Sequence, residues 1–179
     1  MAKKETKPET AYVALLRGVN VGGNRMLPMK DLSALCVKLG FASVRTFIQS
    51  GNVVFRTARS ESDVQTALEK ALVGHMKATV DVFVRTAKEM DDVLRANPFA
   101  DAEPSKVVVI FFAKPVPKTV LDTVVAPDGE QVRLGRRELY IHYPNGMGRS
   151  KLKFRGADGQ GTARNINTVR KLAGLAVQL

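Results

Sequence analysis

The strongest constraint on the fold is the order in which strand-like and helix-like segments follow one another in the first half of the chain. These segments are a strand at 12–17, a helix at 28–39, strands at 44–48 and 53–55 joined by a turn at 49–52, a helix at 61–77 and a strand at 80–84. The order β-α-β-β-α-β is typical of the split-βαβ or ferredoxin-like arrangement. In that arrangement both helices cover one face of an antiparallel sheet.

The second half of the chain follows the same pattern less regularly. Its segments are a helix at 88–96, a strand at 106–112, a helix at 116–125, a hairpin made by 131–134 and 138–142, and a helix at 162–175. The sequence therefore predicts an α+β protein with two ferredoxin-like (split βαβ) subdomains, mainly antiparallel sheets with helices on one face. We place a flexible tail at 1–10, the first subdomain at 11–86 and the second at 87–179. A degenerate duplication is a hypothesis.

The charge of the chain is unevenly distributed. The net charge is +11 over 179 residues, and the segment 131–171 holds ten Lys and Arg but only Glu138 and Asp158 as acidic residues. A concentrated basic surface attracts phosphates, nucleic acids and other polyanions through a long-range field. Solubility alone is the other interpretation of this charge.

Several classes of protein are disfavoured by the composition. Cys36 is the only cysteine, so no intramolecular disulfide is expected, and it falls on the apolar face of the first helix. With His75 and His142 as the only histidines, we predict no metal site and no cofactor. No apolar run is long enough to span a bilayer, and the N-terminus lacks the apolar core of a secretory signal. We therefore expect a cytoplasmic protein without a membrane partner, and the oligomeric state stays open.

The segment between the first strand and the first helix is rich in glycine. It has no Gly-Lys-Ser/Thr, and its glycines at 18, 22 and 23 miss the spacing of a dinucleotide-binding loop. The glycines are accounted for by a tight loop with positive φ. However, Arg17, Asn20, Asn24 and Arg25 make the segment more polar than loop geometry requires, which favours an anion site.

Three further segments carry candidate binding residues. Ser50 and Asn52 flank the glycine of a predicted hairpin turn. Ser150 and Lys151 lie in a loop that leads into a basic run, in which the cations at 149, 151, 153 and 155 would share one face of an extended segment. At 162–165, Thr162 is the expected N-cap of the last helix, so that Arg164 would oppose the helix dipole unless it meets an anion.

The chain resembles a bacterial family known as domain of unknown function 1697. The matching blocks are Ala14-Leu15-Leu16-Arg17-Gly18-Val19-Asn20-Val21-Gly22-Gly23, Ser50-Gly51-Asn52-Val53-Val54-Phe55, Asn97-Pro98-Phe99, Ser150-Lys151-Leu152 and Thr162-Ala163-Arg164-Asn165. The resemblance implies two ferredoxin-like subdomains and no established activity. Ile166 stands where the family commonly has Trp, so any stacking on a ligand by that Trp would be absent here.

From these features we predict a protein that binds a small anionic, phosphate-bearing or nucleotide-like ligand in a cleft between the two halves. The predicted site residues are Arg17, Asn20, Gly22, Gly23, Asn24, Ser50, Asn52, Ser150, Lys151, Thr162, Arg164 and Asn165. Two alternatives stay open: a nucleic-acid-binding module that uses the basic C-terminal region, and a structural or interaction protein without a ligand site. Catalytic residues are not predicted, and enzymatic activity is left undecided.

Overall fold

The computed structural model describes residues 7–179, so most of the predicted tail at 1–10 lies outside the described residues. The chain forms two compact units. The first comprises Met1–Lys88, described from residue 7, together with Leu172–Leu179, and the second comprises Glu89–Lys171. Strand β1 begins at Thr10, so the last residue of the predicted tail is already part of a sheet.

The first unit has the predicted order of elements. They are β1 (Thr10–Leu16), α1 (Met29–Lys38), β2 (Ala42–Thr46), β3 (Asn52–Thr57), α2 (Glu61–Met76) and β4 (Val82–Thr86). Its sheet has the order β2-β3-β1-β4, and every neighbouring pair is antiparallel. β1 lies between β3 and β4, and β3 lies between β2 and β1. Each helix therefore connects two strands that are not hydrogen-bonded to each other, as a split βαβ unit requires.

The core of the first unit explains why both helices lie on the same face of this sheet. Alternate residues of β1, Tyr12, Ala14 and Leu16, join one buried apolar cluster with Leu32 of α1 and Leu68 of α2. Alternate residues of a strand face the same side of a sheet, so the two helices pack on that side. The apolar spacing of about 3.6 residues gives each helix one face for this packing.

The ends of α2 follow from local side-chain chemistry. Ser60 precedes the helix, and its Oγ accepts a hydrogen bond from the Asp63 amide at 3.2 Å. Glu61 and Asp63 lie in the first turn, where carboxylates interact favourably with the helix dipole. At the other end Lys77 adopts the left-handed conformation with φ of 56° and ends the helix.

The second half of the chain forms a sheet with the same strand order. Its elements are α3 (Ala87–Arg95), β5 (Val107–Phe111), β6 (Gln131–Leu134), β7 (Glu138–His142), β8 (Thr162–Asn165) and α4 (Ile166–Val177), with 3₁₀ helices at Pro104–Lys106, Lys118–Thr123 and Met147–Arg149. The sheet order is β6-β7-β5-β8, again antiparallel throughout. The predicted α+β class with two antiparallel sheets is confirmed.

The helix predicted at 116–125 is wrong. The segment contains only a 3₁₀ helix, Lys118–Thr123, and Val125 pairs with Lys153 in an isolated bridge. Proline at 115, 117 and 127 and six β-branched residues between positions 115 and 127 disfavour an α-helix. Val120 instead packs into the buried cluster of this sheet together with Phe112.

The predicted start of the last helix at Thr162 is also wrong. Thr162–Asn165 is strand β8, which pairs with β5, and the helix begins at Ile166. Asn165 takes the capping position, because its Oδ1 accepts a hydrogen bond from the Asn167 amide at 2.9 Å. Arg164 therefore lies in a strand and does not oppose the helix dipole.

Cys36 lies in the core, as its place on the apolar face of α1 predicts. It is fully buried, and burial raises the pKa of its thiol to about 12. The thiolate is the reactive form, so we expect no reaction of native protein with a disulfide reagent at pH 8, and reaction of one thiol in denaturant. A stoichiometric reaction within seconds under native conditions would contradict this placement.

Candidate functional site

The glycine-rich segment of the first unit folds into a short hairpin. Val21 and Asn24 form an isolated antiparallel bridge, and the Asn24 amide donates to the Val21 carbonyl at 3.1 Å. Gly22 and Gly23 have φ of 60° and 76°, the positive values that a type I′ turn needs at both central positions. The turn geometry accounts for both glycines.

Asn20 holds the base of this hairpin. Its backbone amide donates to the Arg25 carbonyl at 3.1 Å, which is the next hydrogen bond of the hairpin after the one at the turn. Its side-chain Oδ1 accepts from the Leu27 amide at 2.7 Å, and its Nδ2 donates to the carbonyls of Leu27 and Gln49 at 2.9 and 2.6 Å. The hairpin is thereby joined to the 49–52 turn, and the Asn20 side chain is committed to that role.

The 49–52 turn is held by its own side chains. Asn52 is fully buried, and its Nδ2 donates to the Phe47 carbonyl at 3.0 Å and to Ser50 Oγ at 2.9 Å. Gly51 lies against the end of β1, where its carbonyl accepts from the Leu16 amide at 2.8 Å. The structure therefore brings two of the predicted segments together, with Ser50 in the turn and Asn52 at the first position of β3.

Of the predicted site residues near the hairpin, one is ion-paired and three lie exposed at its tip. Arg17 forms an ion pair with Asp81 at 3.2 Å at the surface. Gly22, Gly23 and Asn24 are exposed, and no atom lies within 4 Å of where a Cβ on either glycine would stand. The hairpin tip is thus accessible, without an enclosing wall of neighbouring atoms.

A surface pocket of about 320 Å³ in the second unit contains two further predicted residues, Ser150 and Lys151. The residues that line it are Asp128, Glu130, Tyr143, Pro144, Asn145, Gly146, Arg149, Ser150 and Lys151. This volume is at the lower end of the range for small-molecule sites. The pocket combines two carboxylates, two cations, an amide and a phenol.

Glu130 anchors the loop on which the two predicted residues lie. Its side chain accepts hydrogen bonds from Ser150 Oγ and, at 3.0 Å, from the Asp128 amide. The hydrogen bond from Ser150 holds the pKa of the Glu130 carboxyl below its usual range. Ser150 Oγ also accepts from the Leu152 amide at 3.1 Å, so this hydroxyl is part of the loop's internal structure. Glu130 is therefore ionised at neutral pH, and it holds the loop in place.

Tyr143 and Asn145 complete the pocket. Tyr143 is buried, and burial followed by the charge of Glu130 raises the pKa of its phenol. The Gly146 amide donates to the Tyr143 carbonyl at 3.0 Å, and Gly146 has φ of 83°. Asn145 Nδ2 lies 3.5 Å from the Asp128 carbonyl, which brings the loop close to the 127–130 turn. Two loops thus contribute to one concave surface.

Arg149 and Lys151 are the cations of the pocket. Both are exposed, and neither has a hydrogen-bond or ion-pair partner within residues 7–179. Asp128 is likewise exposed, and its carboxylate accepts no hydrogen bond from any described residue. These three side chains are therefore available to a ligand.

The third predicted group lies along strand β8. Thr162 and Arg164 are buried, and Arg164 Nη1 donates to Thr162 Oγ1 at 2.7 Å and to the Ala163 carbonyl at 2.9 Å. Burial lowers the pKa of Arg164 to about 10. Asn165 Nδ2 donates to the carbonyls of Pro104 and Ser105. Ile166, at the position of the family's Trp, is buried and unavailable for stacking on a ligand from solvent.

Sequence reasoning missed the acidic residues of the pocket. Asp128 and Glu130 precede β6, and the Pro127-Asp128-Gly129 motif indicates a turn there. No periodicity indicates that this turn faces the loop after β7. The grouping of all predicted segments in one cleft stays a prediction.

Two other features of the described residues bear on function. Within residues 7–179, no group of three or more His, Cys, Asp and Glu side chains is placed to hold a metal ion. In the same part of the chain, no helix has the length and apolar character to cross a membrane.

Comparisons with known proteins extend these observations. A solved structure titled "The structure of conserved bacterial protein SP0830 from Streptococcus pneumoniae" is similar, with a TM-score of 0.79 and 20% sequence identity, over 94% of this chain and 99% of that one. At that identity the likeness shows the fold alone. No curated protein matches the sequence. The model of the family described as "Protein of unknown function (DUF1697)" matches residues 10–140, nearly three quarters of the chain. The chain therefore belongs to the DUF1697 family.

Proposed function

We propose that this protein binds a nucleotide-like ligand, one that carries both a phosphate and hydroxyl groups, in the pocket of the second unit. The observation that carries the proposal is the pairing of available Arg149 and Lys151 with available Asp128 in one concave site. Cations bind phosphate oxygens, and carboxylates accept hydrogen bonds from sugar hydroxyls. A nucleotide presents both kinds of group.

The mixed charge of the pocket favours such a ligand over a simple anion. Asp128 and Glu130 would repel a lone phosphate, and Glu130 stays ionised because Ser150 lowers its pKa. A carboxylate has about four acceptor positions, so Glu130 retains capacity for donors beyond Ser150 and the Asp128 amide. Hydroxyl donors on the ligand would offset the repulsion that its phosphate meets.

Lys151→Ala is expected to weaken the binding of adenosine monophosphate about 10- to 150-fold, measured by isothermal titration calorimetry. A hydrogen bond to a charged group contributes about 1.5–3 kcal/mol, which corresponds to that change in Kd. Lys153→Ala is the matched control, because Lys153 is exposed in the same loop but does not line the pocket. Equal losses in the two variants would contradict the proposal.

A second substitution distinguishes binding of the ligand's phosphate from binding of its sugar hydroxyls. Asp128→Asn should weaken the binding of adenosine monophosphate while pyrophosphate binds at least as tightly as before, since the substitution removes an acceptor and a repelling charge. If wild-type protein shows no heat of binding with millimolar adenosine monophosphate, the proposed function is wrong.

A further inference from the structure

The pocket opens onto a row of cations that the proposed function does not use. We define the basic strip as Arg149, Lys151, Lys153 and Arg155, all of which are exposed. The residues between them are partly buried, and Leu152 and Phe154 pack against the core of the second sheet. Arg149 ends the 3₁₀ helix Met147–Arg149, Ser150 has an extended conformation, and Lys153 pairs with Val125 as in a strand. Because successive side chains of an extended segment point to opposite sides, Lys151 and Lys153 lie on the solvent side, about 6.6 Å apart, and Arg149 and Arg155 lie at the two ends.

The backbone of the strip is held at two points. Lys153 and Val125 exchange two backbone hydrogen bonds, at 2.8 and 3.0 Å. The Arg155 amide donates to Thr123 Oγ1 at 2.9 Å, and that hydroxyl lies 3.3 Å from the Arg155 carbonyl. These contacts hold the backbone of the strip in place at Lys153 and Arg155.

The strip and the pocket overlap in their first members. Arg149 and Lys151 line the pocket, whereas Lys153 and Arg155 lie beyond it. No described residue forms an ion pair with any of the four. A mononucleotide held by the first two would leave the next two without an anion, and a chain of phosphates would reach them.

We propose, building on the proposed function, that the pocket receives the 3′-terminal nucleotide of a single-stranded RNA whose phosphates continue along the basic strip. Only the last ribose of an RNA strand has both its 2′ and 3′ hydroxyls free, and these are the donors that Asp128 and Glu130 accept. Its 5′ phosphate joins it to the preceding nucleotide, so the strand leaves the pocket toward Lys153 and Arg155. The pocket offers one buried ring, Tyr143, and no pair of aromatic side chains, so binding is independent of base sequence.

The experiment measures fluorescence anisotropy with an eight-nucleotide RNA labelled at its 5′ end, across a salt series. Four cation–phosphate contacts at roughly 0.7 each give a log–log salt slope of about −2.8 for wild type. An otherwise identical RNA that ends in a 3′ phosphate should bind at least about 10-fold more weakly, because the blocked hydroxyl loses its acceptor and the added charge meets carboxylates. DNA of the same sequence should also bind more weakly, since it lacks the 2′ hydroxyl.

The variant Lys153→Ala/Arg155→Ala distinguishes binding by the outer part of the basic strip from binding by the pocket. It should bring the slope to about −1.4 and weaken RNA binding, while the Kd for adenosine monophosphate stays unchanged. Lys118→Ala/Arg136→Ala is the control, because it also removes one exposed Lys and one exposed Arg from the second unit. An equal loss in the control, or equal affinity for the two RNA ends, overturns the inference. If adenosine monophosphate binds but RNA binds no more tightly, the inference fails and the proposed function stands. If RNA binds with the expected slope and end preference but the mononucleotide does not bind, the proposed function fails.

Discussion

Gly51→Ala is expected to lower the free energy of unfolding by about 2–5 kcal/mol. Gly51 has φ of 77°, and a left-handed conformation costs an alanine about 1–2 kcal/mol. A Cβ at this position would stand 2.5 Å from Val19 Cγ2 and 2.8 Å from Leu16 Cβ. Both side chains are buried, so they have little room to move, and overpacking of this kind costs about 1–3 kcal/mol.

Gly23→Ala is the matched control for this experiment. Gly23 has nearly the same φ, 76°, but no atom lies within 4 Å of where its Cβ would stand. Its loss should be about 1–2 kcal/mol, from the backbone conformation alone. Urea unfolding followed by circular dichroism measures both values. Equal losses would mean that the turn at 49–52 is not packed against the end of β1 as described.

Asn20→Ala is expected to lower the free energy of unfolding by about 2–4 kcal/mol. The substitution leaves the amide and carbonyl of buried Leu27 without their partners, and an unsatisfied buried group costs about 1–3 kcal/mol. Alanine also tolerates the backbone φ of 55° less well than asparagine does. Urea unfolding gives the loss, and hydrogen exchange of the Leu27 amide should become much faster.

Two further variants test whether the Asn20 side chain acts as described. Asn24→Ala removes an exposed asparagine from the same hairpin, and its effect should stay within about 0.5 kcal/mol. Asn20→Asp keeps the acceptor for the Leu27 amide but places a carboxylate oxygen against the carbonyls of Leu27 and Gln49, so it should lose at least as much stability as Asn20→Ala. Equal stability of Asn20→Ala and Asn24→Ala would contradict the contacts at the hairpin base.

Sequence patterns predicted the first half of the fold well because each element there has a strong local signal. The continuous apolar run of β1 and the helical spacing of apolar residues in α2 are both strong signals, so the element type is clear from the sequence. The ends were less accurate: β4 was predicted at 80–84 and forms at Val82–Thr86. Hydrogen bonding to β1, which no local pattern encodes, sets that boundary.

The two errors in the second half have different causes. Four residues, Thr162–Asn165, are too few for periodicity to distinguish a strand from the first turn of the helix that follows. Pairing with β5 decides in favour of the strand. At 116–125 the helical spacing is interrupted by prolines and β-branched residues, and Val120 packs into the core of the second sheet from a 3₁₀ helix.

In the candidate site, too, some features could be predicted from residue types and others depend on contacts between distant segments. Residue types alone singled out Ser150 and Lys151, since a polar loop before a basic run is visible in the sequence. Residue types also suggested ligand roles for Asn20 and Asn52, whose side-chain amides the structure uses in internal hydrogen bonds. Glu130 went unnoticed because its partner Ser150 is twenty positions away in the chain.

By itself the sequence determined the α+β class, the order of elements in the first unit and the alternation of charged and apolar residues at 151–155, because these depend on neighbours within a few residues. The tertiary structure alone decided that the glycine-rich segment and the 49–52 turn lie side by side, that Thr162 begins a strand, and that Glu130 meets Ser150. Each of these depends on contacts between segments distant in the chain. Such contacts form when strands pair and side chains pack, and local propensity does not encode them.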